Sequence, residues 1–378
     1  MIQPFRAWVY RTQPRVAPVI DALSPTELQA LRADPFQAIH IAFPTHPSDL
    51  PHLWQKWLQE SVLTPEPLPV MYAYSQTFYR YGERAIPHQR IGIIAALPTA
   101  TTLLPHEAVL PERILGLQTA LAALPVQTTP IHVLAAGAWE NLRPLLQAYL
   151  SCPRFSAASS DGVMHRWSPI HHRGHQEHIA QSLPQGPFFI ADGHHRWQAI
   201  LRQQLPYFLA YITPTDDPSL YIAPTHRFLP HPHIDLAKRM EKHFSLHPTA
   251  ARVPLWAEVQ GLKHAIGIVA PGGKAWTARL RPPYWSYLQE RPLVAWVHEW
   301  VLQGLPVQFS REPAPLVEAA HRGEGWACLL PPLDIAYVWQ AAQQGNPLPA
   351  KATYFFPKVL SGLCFAYEDS VSVGLPAA

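Results

Sequence analysis

The chain has 378 residues with 43 prolines and 18 glycines, so proline is about 11% where ~5% is usual, yet Pro and Gly together stay below the ~25–30% of low-complexity sequence. With 48% hydrophobic residues there is a core to bury, which excludes a collagen and a disordered scaffold. Charged residues are only 15% and the formal net charge is +3, too weak for an electrostatic grip on nucleic acid; a bound anion has to be held by a local arrangement of donors.

The 21 histidines add positive charge only below about pH 6.5. Cys152, Cys328 and Cys364 are far apart and in no C-x-x-C spacing, which speaks against a disulfide framework and a zinc ribbon. The start, Met1 to Arg6, lacks a basic segment followed by an apolar run, and no window approaches 18 uninterrupted apolar residues. A soluble cytoplasmic protein without signal peptide or membrane span is expected. The length predicts two or three domains, and the sequence carries no sign of the oligomeric state.

In chain order, Ser24-Pro25-Thr26-Glu27 opens a short helix by the capping-box rule. Residues 50–63 read as a second helix with Leu53, Trp57 and Leu58 on one face. Residues 70–78 and 90–97 read as a hairpin around Tyr81-Gly82-Glu83. Residues 112–124 and 139–150 are predicted helices, with a strand at 131–135 between them. A polar turn at 156–162 leads to a helical pattern at 171–183, and a strand at 188–191 runs through Asp192-Gly193 into a helix starting near His194. The break at 230–233, Pro-His-Pro-His, reads as a linker. Beyond it helices at 234–244, 293–302 and 335–344 alternate with short strands. The domains expected are 1–100, 101–229 and 230–378.

The strongest local signal is Phe188-Phe189-Ile190-Ala191-Asp192-Gly193-His194-His195-Arg196. An apolar strand delivers an acid, a glycine, two imidazoles and a guanidinium to a helix start, where backbone N–H groups and an Arg fork suit a phosphate. Asp192 there suits Mg²⁺ or a nucleophile. The plainer alternative is that Asp192 merely caps the helix. His106-Glu107 precedes a helix; its carboxylate suits proton acceptance from an alcohol or, more plainly, complements the helix dipole. Thr225-His226-Arg227 and the segment from Lys351 through Thr353, Tyr354 and Phe356 to Lys358 and Ser361 are further polar clusters, each individually weak, with lysines suited to neutralising phosphate. His171, His175 and His178 share a helical face, but no carboxylate or cysteine completes a metal spacing, so a solvated face is expected there rather than a metal site. Gly272-Gly273-Lys274 lacks the rest of a phosphate-binding loop, and no dinucleotide fingerprint is present.

Together, Ala17-Pro18 with Asp21, Arg90 and Gly92, His106-Glu107, Ser160-Asp161-Gly162, Asp192 to Arg196, Pro224 to Arg227 and the 351–363 segment resemble a bacterial and archaeal family named domain of unknown function 1015. That family looks like a relative of the ParB/sulfiredoxin fold, whose free serine kinases carry a similar Asp-Gly-His-His-Arg turn and an upstream Glu. The resemblance implies an α+β (mixed α/β) fold with a ParB/sulfiredoxin-like nucleotide-binding core and N-terminal and C-terminal α/β elaborations. Sulfinic acid reduction would need a cysteine where His194 stands, and a partition protein would need a basic DNA-binding surface. The phosphotransferase reading keeps its parts. It implies ATP or ADP with Mg²⁺ as cofactor and a small hydroxyl metabolite, by resemblance free L-serine, as acceptor giving O-phosphoserine. Glu107, Asp192 and His195 are then catalytic, with Asp192 engaging Mg²⁺ or the nucleophile. Gly193, His194, Arg196, Thr225, His226, Arg227, Lys351 and Lys358 bind nucleotide or phosphate, and His106, Thr353 and Tyr354 meet the substrate. No nucleic acid or membrane partner is expected. Val19-Ile20 replaces the family's usual Pro-Tyr, and Ala350 and Phe356 depart from its C-terminal pattern, so the acceptor pocket differs. The alternative is a nucleotide-binding regulator without catalysis.

Overall fold

Alternating and continuous apolar runs dominate the first two hundred residues, and in the computed structural model they pair into sheets. The structure describes residues 1–20, 23–81, 85–184, 186–249, 262, 264–349 and 351–367. Asp21, Gly82, Glu83 and Ala350 lie outside the described residues. Helices and strands are interspersed along the chain, so the mixed α/β class holds. The chain divides into two compact units, one of Met1–Pro105, Val109–Leu220 and the segment from Pro357 onward, the other of His106–Ala108 and Tyr221–Phe356.

The first unit is built on an eight-stranded sheet in the order Leu103–Leu104, Phe188–Asp192, Ile131–Ala135, Tyr207–Pro214, His88–Pro98, Met71–Phe78, Met164–Ile170, Phe155–Ala158. Successive side chains of a strand point to opposite faces, and both faces here are covered. Ile91, Ile93, Ala95 and Leu97 pack in one core with Trp139, Leu142 and Leu146 of the helix Trp139–Ser151. On the other face Tyr72, Tyr74, Ile94 and Tyr211 pack with Val359 and Leu360. That double burial explains why the central strands read as nearly continuous apolar runs. A four-stranded sheet follows the order Leu63–Pro65, Ala7–Tyr10, Phe365–Tyr367, Val126–Gln127.

Several elements differ from expectation. The helix predicted at 50–63 is Leu50–Gln59, with Leu50, Trp54 and Trp57 buried rather than Leu53 and Leu58, and Leu63 begins a strand. The first three residues of the predicted turn at 156–162 are strand, because Phe155–Ala158 finds an antiparallel partner in Met164–Ile170. The helix at 171–183 is Arg173–Ser182, so His171 precedes it. His171 Nε2 lies 3.1 Å from Glu66 Oε2 and His175 Nδ1 2.9 Å from the Tyr149 hydroxyl, so these two are tied into side-chain contacts and do not form the solvated face expected.

The second unit carries a six-stranded antiparallel sheet in the order Phe244–Thr249, Ala275–Leu280, Ala265–Val269, Trp326–Leu329, His226–Leu229, Gln308–Ser310. Gly272-Gly273-Lys274 forms the turn between two of these strands. Residues 230–233 lie inside this unit. The predicted helix at 234–244 is Leu236–Glu241, and that at 293–302 starts as α-helix and widens to π-helix over Val297–Val301. No helix among the described residues is long and apolar enough to cross a membrane.

Candidate functional site

In the first unit the strand Phe188–Asp192 pairs with Ile131–Ala135, and its register shifts between Ile190 and Asp192, which puts Asp192 opposite His132. A shift of this kind re-aims the side chain that follows it. Gly193 then takes φ +102° and starts the helix His194–Arg202. The left-handed backbone favours glycine here, and a Cβ would also press on the Arg196 guanidinium, 3.0 Å from its Nη2. No side chain caps this helix; the carboxylate of Asp192 turns instead to two cations. Its Oδ1 accepts from Lys358 Nζ and its Oδ2 from Arg196 Nη2 at 2.8 Å. Arg196 Nη1 also donates to the carbonyls of Thr129 and Pro130, at 3.0 and 2.9 Å.

Burial alone would raise the pKa of Asp192, but Lys358, Arg196 and His194 outweigh it and hold the carboxyl well below its ordinary range. Asp192 is therefore an anchored anion, unsuited to taking up a proton near neutrality. Buried His132 bonds Thr213 Oγ1 at 2.9 Å and stacks on Tyr211. Burial, reinforced by Arg90, pushes its pKa well down, so it stays neutral beside the cations. His195 Nε2 accepts the Leu110 backbone N–H at 2.9 Å, just ahead of the helix Pro111–Ala123. The ring thus satisfies one end of a neighbouring helix.

A second cluster lies within the other unit. His106–Ala108 pairs with Leu348, which sets the Glu107 carboxylate against the 351–353 segment. Oε1 accepts from the Lys351 N–H at 3.0 Å, and Oε2 from the Thr353 hydroxyl at 2.5 Å and its N–H at 3.4 Å. His106 Nε2 lies 3.0 Å from the same hydroxyl. Arg227, buried in the strand His226–Leu229, donates to the carbonyls of Lys351 and Thr225 and to His298 Nε2. Burial pushes its pKa down to about 9 against the pull of Glu107. His226 Nδ1 accepts from the Leu330 N–H at 3.1 Å, and burial with Arg227 nearby lowers its pKa to about 3. The Tyr354 hydroxyl accepts from Arg311.

The structure therefore joins Asp192, Gly193, His194, Arg196 and Lys358 in one cluster, and His106, Glu107, Thr225, Arg227, Lys351 and Thr353 in another. His195 and His226 each accept a backbone N–H. Sequence reasoning missed His132, which faces Asp192 only through strand pairing, and Gln76, considered below; neither belongs to a recognisable motif. Each oxygen of Asp192 already accepts from a cation, and among the described residues no group of three His, Cys, Asp or Glu side chains is gathered for a metal. The donors at Asp192 do not fit a protein-held Mg²⁺.

A strand, a glycine turn and a helix start that hold a carboxylate between Lys and Arg mark this as a mixed α/β protein with a charged strand-to-helix turn. The chain belongs to the family described as protein of unknown function (DUF1015), whose model matches residues 2–308 and so stops short of Lys351, Thr353, Tyr354 and Lys358. Solved structures similar to it include a free serine kinase in complex with AMP (11% identity, 73% of this chain and 92% of that one, TM-score 0.41). Others are a conserved hypothetical protein from Pyrococcus furiosus (10%, 73% and 96%, TM-score 0.40) and SbnI with a C-terminal truncation from Staphylococcus aureus (12%, 71% and 87%, TM-score 0.41). No curated protein matches the sequence.

Proposed function

We propose that the protein is a nucleotide-dependent small-molecule kinase on a ParB/sulfiredoxin-like core, transferring a phosphoryl group from ATP or ADP to a metabolite hydroxyl, with free L-serine the acceptor suggested by the sequence resemblance. The observation that carries this reading is the Asp192 turn, where a glycine-started helix stands beside Lys358 and Arg196, both held in place by one ionised carboxylate. Positioning and charge stabilisation supply most of the catalysis in phosphoryl transfer, and a preset pair of cations at a helix N-terminus suits that task. Gly193 and His194 line the phosphate, with His195 behind them.

Glu107 is assigned the acceptor hydroxyl. It already accepts a hydrogen bond from an alcohol, that of Thr353. In the reaction the acceptor oxygen bonds to the terminal phosphorus, the phosphorus–oxygen bond to the departing ADP or AMP breaks, and the hydroxyl proton passes to Glu107. The Lys351 N–H supports this carboxylate and Arg227 holds its loop through the Lys351 carbonyl, Thr225 and His226 holding Arg227 and the Leu330 N–H, and His106, Thr353 and Tyr354 are assigned to the substrate.

A second reading, a nucleotide-binding regulator without catalysis, is favoured by the same Glu107 bonds, since both of its oxygens already serve the 351–353 backbone. Incubation with ATP or ADP, Mg²⁺ and pooled amino acids separates the two. The kinase reading expects a new phosphorylated product that disappears in Glu107→Gln while nucleotide binding persists. Tight nucleotide binding with no product supports the regulator, and equal activity in Glu107→Gln rejects the assigned base.

A further inference from the structure

Arg90 and Gly92 entered the sequence argument only through family resemblance, and the proposed reaction leaves them without a role. In the eight-stranded sheet Arg90 pairs across the strands with Gln76, and Gly92 with Tyr74. Arg90 and Gln76 are both fully buried. The Arg90 guanidinium reaches two backbone carbonyls, Pro357 O at 3.3 Å and Ser219 O at 3.5 Å. Gln76 Nε2 donates to the carbonyl of Lys358 at 2.9 Å. Gly92 leaves room for the adjoining strand, since a Cβ there would lie 2.2 Å from Ile212 O and 2.7 Å from the Thr213 side chain.

The two carbonyls that these side chains hold lie on either side of the Lys358 Cα. Peptide planes are rigid, so fixing the carbonyl before a Cα and the carbonyl after it fixes the residue's two soft dihedrals. Lys358 sits outside any regular strand or helix, where no ladder of backbone bonds does this work. Past it the chain is tied down by the buried side chains of Val359 and Leu360 and by the bridge between Ser361 and Ala17. The Lys358 stem is long and flexible, yet its ammonium lands on Asp192 Oδ1.

We propose that Gln76 and Arg90 are positioning residues that, by gripping the carbonyls flanking the Lys358 Cα, aim its ammonium at Asp192. The use of that ammonium on a phosphate rests on the kinase reading; its aim does not. Arg90 suits the role because its planar fork reaches acceptors from two chain segments at once, and Gln76 supplies the shorter bond. The arrangement explains why a buried guanidinium stands in the middle of an apolar sheet, where its desolvation is costly.

Competitive labelling of amines in the full chain with limiting isotopic acetic anhydride, mapped by mass spectrometry, tests this without nucleotide or turnover, so failure of the kinase reading leaves the test intact. Exposed Lys56 serves as the internal reference. Gln76→Leu keeps the volume and removes the donor, and Gln76→Asn, one carbon short of the carbonyl, is the second variant should Leu not fold. The expected result is that Lys358 labels about tenfold faster relative to Lys56, the equivalent of one lost hydrogen bond, and approaches its rate in Asp192→Asn. Arg90→Lys, which keeps the charge but loses the fork, is expected to accelerate Lys358 as well. Wild-type labelling of Lys358 in both Gln76 variants overturns the proposal. So does an equal rise at Lys56, which would mark general loosening, or an unchanged Lys358 rate in Asp192→Asn.

Discussion

Asp192→Asn leaves the shape of the turn and removes the charge that Lys358 and Arg196 share. The amide keeps one oxygen for one cation and turns an N–H₂ group toward the other, donor against donor. Two charge-assisted bonds of about 1.5–3 kcal/mol each are weakened or lost. Side chains 21% exposed at Asp192, 18% at Arg196 and 14% at Lys358 let water recover part of this, which leaves a net cost of about 2–4 kcal/mol, near the lower end for breaking a buried pair. Urea unfolding at pH 7 of wild type, Asp192→Asn, Lys358→Met and the double variant measures it. Lys358→Met retains the Arg196 bond and should cost less, with a coupling of about 1–2 kcal/mol in the cycle. The pH dependence has a definite sign. The folded-state pKa of Asp192 is depressed, so its stabilisation is complete above the unfolded value near 3.9 and is lost as pH falls toward the folded value. The gap between wild type and Asp192→Asn should narrow below about pH 4. A variant within about 0.5 kcal/mol of wild type at pH 7, or a gap that stays constant down to pH 3, would refute the anchoring of the two cations by this carboxylate.

His195→Ala strips the Leu110 N–H of its ring acceptor, and urea unfolding should show a loss of about 1 kcal/mol whether or not nucleotide is present. For His226, burial lowers the folded pKa to about 3 against about 6.5 when unfolded, so its contribution is present above pH 6.5 and is lost as pH falls toward 3. Going from pH 7 to pH 5 should cost about 2 kcal/mol through this residue, and His226→Gln should remove that portion of the pH dependence.

Local order was legible where neighbouring residues decide it. Ser24 and Glu27 complete the predicted capping box, and Phe188 to Arg196 forms strand, turn and helix because apolar residues, a glycine and polar helix-starters follow one another directly. Contacts between distant segments decide the rest. The strand Met164–Ile170 mixes apolar with polar residues and exists because Met71–Phe78 and Phe155–Ala158 flank it. His195 reads as a site residue in sequence, and its ring accepts a helix-terminal N–H 85 residues away. Asp192 and Lys358 are 166 residues apart, a pairing no periodicity encodes, and Arg90 shows its partners only once Pro357 is folded over the sheet.

Pro357 and the residues after it close the first unit, and this sets a condition on biosynthesis. A ribosome that has reached Phe356 has made Asp192, Gly193 and Arg196, all seven other strands beside Phe188–Asp192 in the large sheet, and the outer strands of the small one. It has not yet made Lys358, or Phe365–Tyr367, the strand that joins Ala7–Tyr10 to Val126–Gln127. Until then Asp192 lacks one of its two cations, Arg90 and Gln76 have no carbonyls of this segment to hold, and the small sheet is open in the middle. The paired cations thus form only once Lys358 has been made, so a nascent polypeptide that stalls or is cut before Pro357 cannot present them.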